Sequence, residues 1–329
     1  MPLGAPRHWQ NRNVIAYLCL PVALLYLVIT TARRWCYRCG LLAGYRAKVP
    51  VVIVGNITAG GAGKTPLVIA LVEHLKQKRL SVGVVSGGYG GSRRGGPAFS
   101  VTADSNPAEA GDEPVLIAQR TGIPVVVARK RVLAVQQLED SCDVIVCDDG
   151  LQHHALQRDI EISVVDSGTL FGNRFILPAG PLREPVRRLR TVDIVVHSGV
   201  RRQQPGYELS PGALVNLKTG TEIALRQLNN KQVHAVAAIA YPEKFFSLLE
   251  SFGLIVNRHH FADHHAFTAT DLTFNDNHPV LMTEKDRVKC QQYADDRMWC
   301  LPVHAVVDSA IMNAFDDLLT SKEVLPPRD

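Results

Sequence analysis

A short apolar run at 51–54 leads directly into Gly55-Asn56-Ile57-Thr58-Ala59-Gly60-Gly61-Ala62-Gly63-Lys64-Thr65 and then into a helix-forming stretch. Few chains can use such an order other than to wrap a phosphate. Glycines let successive backbone N–H groups turn toward one anion, and the following helix adds its positive end. Lys64 can reach β and γ phosphates, and the Thr65 hydroxyl can ligate Mg²⁺. The order strand, glycine loop, helix therefore predicts a P-loop, with Thr58, Ala59, Gly60, Gly61, Ala62, Gly63, Lys64 and Thr65 against ATP. Thr58 stands where the strict G-x-x-x-x-G-K-[ST] pattern has its first glycine, and Gly60 and Gly61 keep the loop pliable.

A P-loop needs a second carboxylate for the metal at the end of a nearby strand. The run at 143–147 ends in Asp148-Asp149 and supplies one, although an Asp at a strand end also serves as a turn former. Strands are predicted at 51–54, 81–86, 124–128, 143–147, 161–166 and 193–197. Most lack period-two alternation, the pattern of parallel strands covered on both faces. Helices are predicted at 66–79, with Pro66 in its first turn, and at 114–120 and 132–139. This rhythm belongs to the α/β class, as a P-loop NTPase-type doubly wound, mostly parallel sheet.

Runs at 213–217 and 222–225 flank Lys218-Thr219-Gly220 and predict a β-hairpin. Further runs at 233–240, 254–256, 280–282 and 303–307 predict a second, smaller α/β unit. The expected organisation is an N-terminal membrane-associated helix in 1–47, a P-loop domain in 48–210, a hairpin linker in 211–232 and a smaller C-terminal α/β domain in 233–329.

Residues 14–32 carry no Asp, Glu, Lys or Arg, and Arg33, Arg34, Trp35, Tyr37 and Arg38 follow. That length is at the lower edge of the roughly 20 residues needed to cross a bilayer. With Pro21 inside it, the segment can either span or lie in the interface. The basic and aromatic cluster suits headgroup level and keeps the body on the cytoplasmic side. No small-x-small site marks it as a cleaved signal peptide.

The chain is 46% hydrophobic and 20% charged, enough for a sizeable core. The net charge of +5 conceals 25 Arg against 11 Lys, and Arg suits bidentate contact with phosphate. No long block of like charge appears, so no nucleic-acid partner is expected. The seven scattered cysteines read as a reduced body, and Cys36 and Cys39 lack a second pair with which to build a zinc site.

Six strings then occur in order: Gly55-Asn56 through Thr65-Pro66, Gly111-Asp112-Glu113-Pro114, Asp148-Asp149-Gly150-Leu151-Gln152-His153, Gly180-Pro181-Leu182-Arg183-Glu184, Phe261-Ala262-Asp263-His264-His265 and Thr283-Glu284-Lys285-Asp286. Together with the apolar N-terminal segment, they resemble the tetraacyldisaccharide 4'-kinase family of lipid A biosynthesis, from about residue 9 to about residue 315. The resemblance implies transfer of the γ-phosphate of ATP, with Mg²⁺, to the 4'-hydroxyl of an acylated disaccharide 1-phosphate, giving lipid IVA. It places the protein at the cytoplasmic face of the inner membrane of a Gram-negative bacterium, with the lipid substrate and the lipid surface as partners and no obligate protein partner.

By the same resemblance Asp112 is the base, His264 its partner and Lys64 a third catalytic group. Thr65, Asp148, Asp149 and Glu184 are the metal-side residues, and Arg131 and Arg183 contact phosphates of the substrate. From the residues alone the favoured reading of Asp112 is a cap for the helix ahead of Pro114, a role compatible with that of a base. The cluster of His259, His260, His264 and His265 leaves open which ring faces the site. The family pattern leads us to expect an Arg where this chain has Gly87, in Ser86-Gly87-Gly88-Tyr89-Gly90. The competing reading is a membrane-associated regulatory or positioning P-loop ATPase, a class that typically carries a Lys near the loop start where this chain has Thr58.

Overall fold

The computed structural model describes residues 6–199 and 204–322. The ends of the outer assigned segments, 1–5 and 323–329, and residues 200–203 lie outside the described residues. Asn13 opens α1 (Val14–Leu18) by accepting a hydrogen bond from the Ala16 N–H at 3.0 Å, and α2 (Leu20–Arg38) follows after Cys19. Among the described residues no helix is long and apolar enough to cross a membrane. Yet Val14, Leu18, Val22, Leu25 and Ile29, spaced as one helical stripe, are all exposed.

The chain then runs through β1 (Val51–Gly55), α3 (Lys64–Gln77), β2 (Val82–Ser86), β3 (Phe99–Val101), α4 (Pro107–Ala110), α5 (Asp112–Thr121), β4 (Val125–Val127), α6 (Arg131–Leu138), β5 (Val144–Asp148), β6 (Ile160–Asp166), β7 (Ile194–Ser198) and β8 (Gly206–Pro211). Every residue of β1, β2 and β5 is buried, because helices cover both faces of the sheet. Alternate residues of β1 serve the two cores: Val52 and Val54 pack with Leu67 and Leu71 of α3, whereas Val51 and Ile53 pack with Ala134, Val135 and Leu138 of α6. The P-loop helix begins two residues earlier than expected, at Lys64, because the loop feeds directly into its first turn.

A second sheet is built from β9 (Leu214–Asn216), β10 (Glu222–Ile223), β11 (Gln232–Ala237), β12 (Ile255–His260), β13 (Val280–Thr283) and β14 (Met298–Leu301), with α7 (Pro242–Ser251) and α8 (Glu284–Cys290) between its strands. Its order is β10-β9-β14-β13-β11-β12. The expected hairpin forms as β9 and β10, and it is the edge of this sheet through the β9–β14 pairing.

One strand sits elsewhere than expected. β15 (Val303–Val307) pairs antiparallel with β8, from Val303 opposite Pro211 to Val307 opposite Tyr207, and so extends the large sheet. That sheet runs β15-β8-β7-β6-β1-β5-β2-β4-β3. An aliphatic run announces a strand but not which sheet edge it joins. After it α9 (Ser309–Ser321) buries Ile311, Phe315 and Leu319 in the large core, so 303–322 belong with the large sheet and not with the smaller unit.

Candidate active site

The loop after β1 is braced by residues of β7 and β8, two and three strands away in the sheet. Ser198 Oγ donates to the Ala62 carbonyl at 2.9 Å, and the buried Tyr207 hydroxyl donates to the carbonyl of Gly63. Gly63 has φ +79°, and a β-carbon there would run into that hydroxyl, so the position requires glycine. Ala59 N–H donates to Pro181 at 2.7 Å, and Thr58 bridges to Leu182, tying the loop to the segment that carries Arg183. Asn56 links both ends: its Nδ2 lies 3.1 Å from Thr58 Oγ1, and its Oδ1 accepts from Lys64 Nζ at 3.3 Å.

Asp148 ends β5 in register with Val54, which sets the carboxylate pair beside the loop. The two aspartates differ in environment. Asp149 is buried, which alone would raise its pKa, but Lys64 at 3.4 Å and Arg183 at 3.1 Å hold it well below the usual carboxylate range. Asp148 is pushed up to about 7 by burial and by the negative charges of Glu113 and Asp149, against the opposing pull of Lys64. Its Oδ1 is buried without a hydrogen-bond partner.

An orphaned carboxylate oxygen at the end of β5, the strand paired with the one that leads into the phosphate loop, fits Mg²⁺, a hard cation that takes oxygen ligands and keeps waters and phosphate oxygens in its shell. Thr65 and Asp148 would hold it here. Glu184 is differently engaged: its Oε1 accepts from Gln152 at 2.8 Å, and its Oε2 faces Arg188 at 3.2 Å and Arg34 at 3.6 Å.

Arg183 is therefore a partner of Asp149 and also lies 3.4 Å from Gln152 Oε1. Arg131 is almost fully buried at the start of α6, where Nη1 donates to Ala128 at 2.9 Å and Nη2 reaches the Asp149 carbonyl at 3.5 Å. The guanidinium occupies the turn at Gly87, where the family pattern had led us to expect another arginine.

Asp112 opens α5 and accepts from the Glu113 N–H at 3.1 Å, while Gly111 occupies the cap position. His264 Nδ1 lies 3.0 and 3.1 Å from the two Asp112 oxygens, so His264 and not His265 faces the carboxylate. His265 turns to Asp271 at 3.2 Å. The pair is mutually stabilising. The hydrogen bond to Asp112 raises the His264 pKa against burial, and His264, Lys285 and Lys289 hold Asp112 below the ordinary value although burial opposes them. A cleft of ≈ 900 Å³ lined by Gly90, Asp112, His264 and Lys289 opens beside the pair.

Sequence reasoning did not assign roles to Asn56, Gln152, Ser198, Tyr207 or Lys285. Gln152 and Lys285 lie within the strings that carry the family resemblance, where sequence shows a position but not the partner it meets. Tyr207 and Ser198 carry no local signal, since they act on the loop from strands 136 and 144 residues away.

A glycine loop at the end of β1, a buried aspartate at the end of adjacent β5 and helices on both faces define a P-loop nucleotide-dependent enzyme. The family described as tetraacyldisaccharide-1-P 4'-kinase matches residues 15–320, and the chain belongs to it. A tetraacyldisaccharide 4'-kinase of Ruthia magnifica subsp. Calyptogena magnifica is 44% identical over 308 residues, covering 93% of this chain and 98% of that protein. Its counterpart in Methylobacillus flagellatus is 45% identical over 311 residues, covering 93% and 92%. The crystal structure of LpxK from Aquifex aeolicus in complex with ATP matches with a TM-score of 0.77 at 26% identity, covering 93% of this chain and 99% of that one.

Proposed function

We infer that the protein is an ATP- and Mg²⁺-dependent lipid kinase, transferring the γ-phosphate to the 4'-hydroxyl of tetraacyldisaccharide 1-phosphate to form lipid IVA. Family membership carries the reaction, and the contact of Asp112 with His264 supports the assignment of roles within it. A sugar hydroxyl is a weak nucleophile at neutral pH and needs a base at the moment of attack. Asp112 accepts its proton as the hydroxyl oxygen bonds to the γ-phosphorus and the bond to ADP breaks. His264 orients the carboxylate through Nδ1. Lys64 and the loop N–H groups hold the β and γ phosphates, and Arg131 and Arg183 add positive charge nearby. Mg²⁺, when bound, neutralises charge on the phosphate oxygens.

The exposed apolar stripe of α1 and α2, with Arg33, Arg34 and Arg38 after it, supports attachment to a lipid surface, which we place at the cytoplasmic face of the inner membrane. A helix lying in the interface brings the site to an acylated substrate without extracting it. Radiolabelled γ-phosphate from ATP should appear in the acylated disaccharide in detergent, and Asp112→Asn should cut turnover by at least about a hundredfold. ATP hydrolysis with no labelled lipid would favour the positioning ATPase instead.

A further inference from the structure

Three carboxylates converge on Lys285. Its Nζ lies 3.2 Å from Glu113 Oε1, 3.3 Å from Asp263 Oδ1 and 3.8 Å from Asp112 Oδ2. An ammonium has three protons to donate, and here each has a carboxylate oxygen nearby. The lysine stands in the first turn of α8, while Asp112 and Glu113 open α5, so the contact joins an element of the small sheet to one of the large.

Asp112 is only 3% exposed, and an ionised carboxylate so buried needs cations around it. The groups facing it are His264 from the loop after β12, Lys285 and Lys289 from α8, and the like charge of adjacent Glu113. Asp263 adds a further negative charge 3.9 Å from His264 Nε2. Lys289, at 3.9 Å from Asp112, is drawn to Asp286 at 2.8 Å. That leaves Lys285 as the cation that offsets Glu113 and Asp263.

We propose that Lys285 is a positioning residue for phosphoryl transfer: it neutralises Glu113 and Asp263 and so keeps the Asp112 carboxylate charged and aimed between His264 and the acceptor hydroxyl. This rests on Asp112 being the proton acceptor. Lys285 and His264 both come from the small unit, so the base is complete only when that unit is seated against α5.

The test is the pH profile of kcat and KM for the full chain, with ATP and acylated disaccharide in detergent. Lys285→Met should lower kcat about ten- to hundredfold at neutral pH, leave KM for ATP within about threefold, and move the acid limb of kcat up by about one to two pH units. Lys285→Arg should restore the wild-type limb. An unmoved acid limb in Lys285→Met overturns the proposal, as does Lys285→Arg behaving like Lys285→Met. Should Lys285→Met fail to fold by circular dichroism, Lys285→Met with Asp263→Asn is judged by the same limb, which Glu113 should still raise. Asp112→Asn is the control. If it turns over near the wild-type rate, the assignment of the base fails; if it is inactive while the Lys285→Met limb is unmoved, only the role of Lys285 fails.

Discussion

The guanidinium of Arg131 lies against the α-carbon of Gly87, so close that a β-carbon at 87 would stand 2.7 Å from Nη1. The absence of a side chain at 87 is what admits this cation to the turn beside Asp149. Gly87→Ala should therefore cost about 1–3 kcal/mol, because the intruding methyl displaces a buried, hydrogen-bonded group. The contact makes a further demand: combined with Arg131→Ala, the two losses should fall short of additivity by at least about 0.5 kcal/mol in urea unfolding. Strict additivity would mean that the two residues do not touch.

Tyr207 acts on the phosphate loop from a strand on the far side of β7. Tyr207→Phe removes a donor to the Gly63 carbonyl, at a cost of about 1–2 kcal/mol. Some of that loss should fall on the loop's function, weakening ATP binding by about fivefold, which titration calorimetry can read. An unfolding midpoint and ATP affinity both equal to wild type would exclude a bracing role.

The loop and its strand were legible because a phosphate cradle is a contiguous device: glycines, Lys64 and Thr65 must follow one another. Asp148 was legible for a similar reason, since β5 reads as a buried strand and its end is fixed by neighbours in sequence. Contacts made across the fold were not. The choice between His264 and His265 turns on a positive φ of 61° at His264, a backbone state that no residue type in the string announces. Lys285 finds Glu113 172 residues away, which only the packing of α8 on α5 can arrange. The strand at Val303–Val307 was visible as a strand, but its sheet depended on a turn after β14 and on the open edge offered by β8.

The C-terminal helix is tied to the P-loop helix by charge. Asp316 sits 2.7 Å from His74 Nε2 and 3.0 Å from Lys78 Nζ. Burial alone would raise the Asp316 pKa, but hydrogen bonds from His74 and Lys78 bring it below the ordinary value. A carboxyl whose folded pKa is lowered stabilises the native state above its unfolded pKa of about 4, and the contribution is lost as pH falls through the folded value. Asp316→Asn should thus lower stability by about 1 kcal/mol at pH 7, and the difference between the two proteins should shrink as pH falls below about 4. Urea midpoints measured across that range would reject the assignment if the two proteins ran parallel.

The apolar stripe on α1 and α2 makes a demand that a merely structural helix would not. Leu25 is 60% and Ile29 57% exposed, so a charge at either place should leave unfolding unchanged within about 0.5 kcal/mol. If the same side chains enter a lipid interface, each contributes about 1.5–3 kcal/mol there. Leu25→Glu or Ile29→Glu should then reduce binding to anionic phospholipid vesicles by about tenfold or more, and the two together should abolish flotation. Replacing the basic Arg33 and Arg38 by Gln should produce a different signature, a loss that grows weaker as salt rises, because their attraction to the surface is screened. Full flotation of the double Glu variant would show that this face does not enter the lipid.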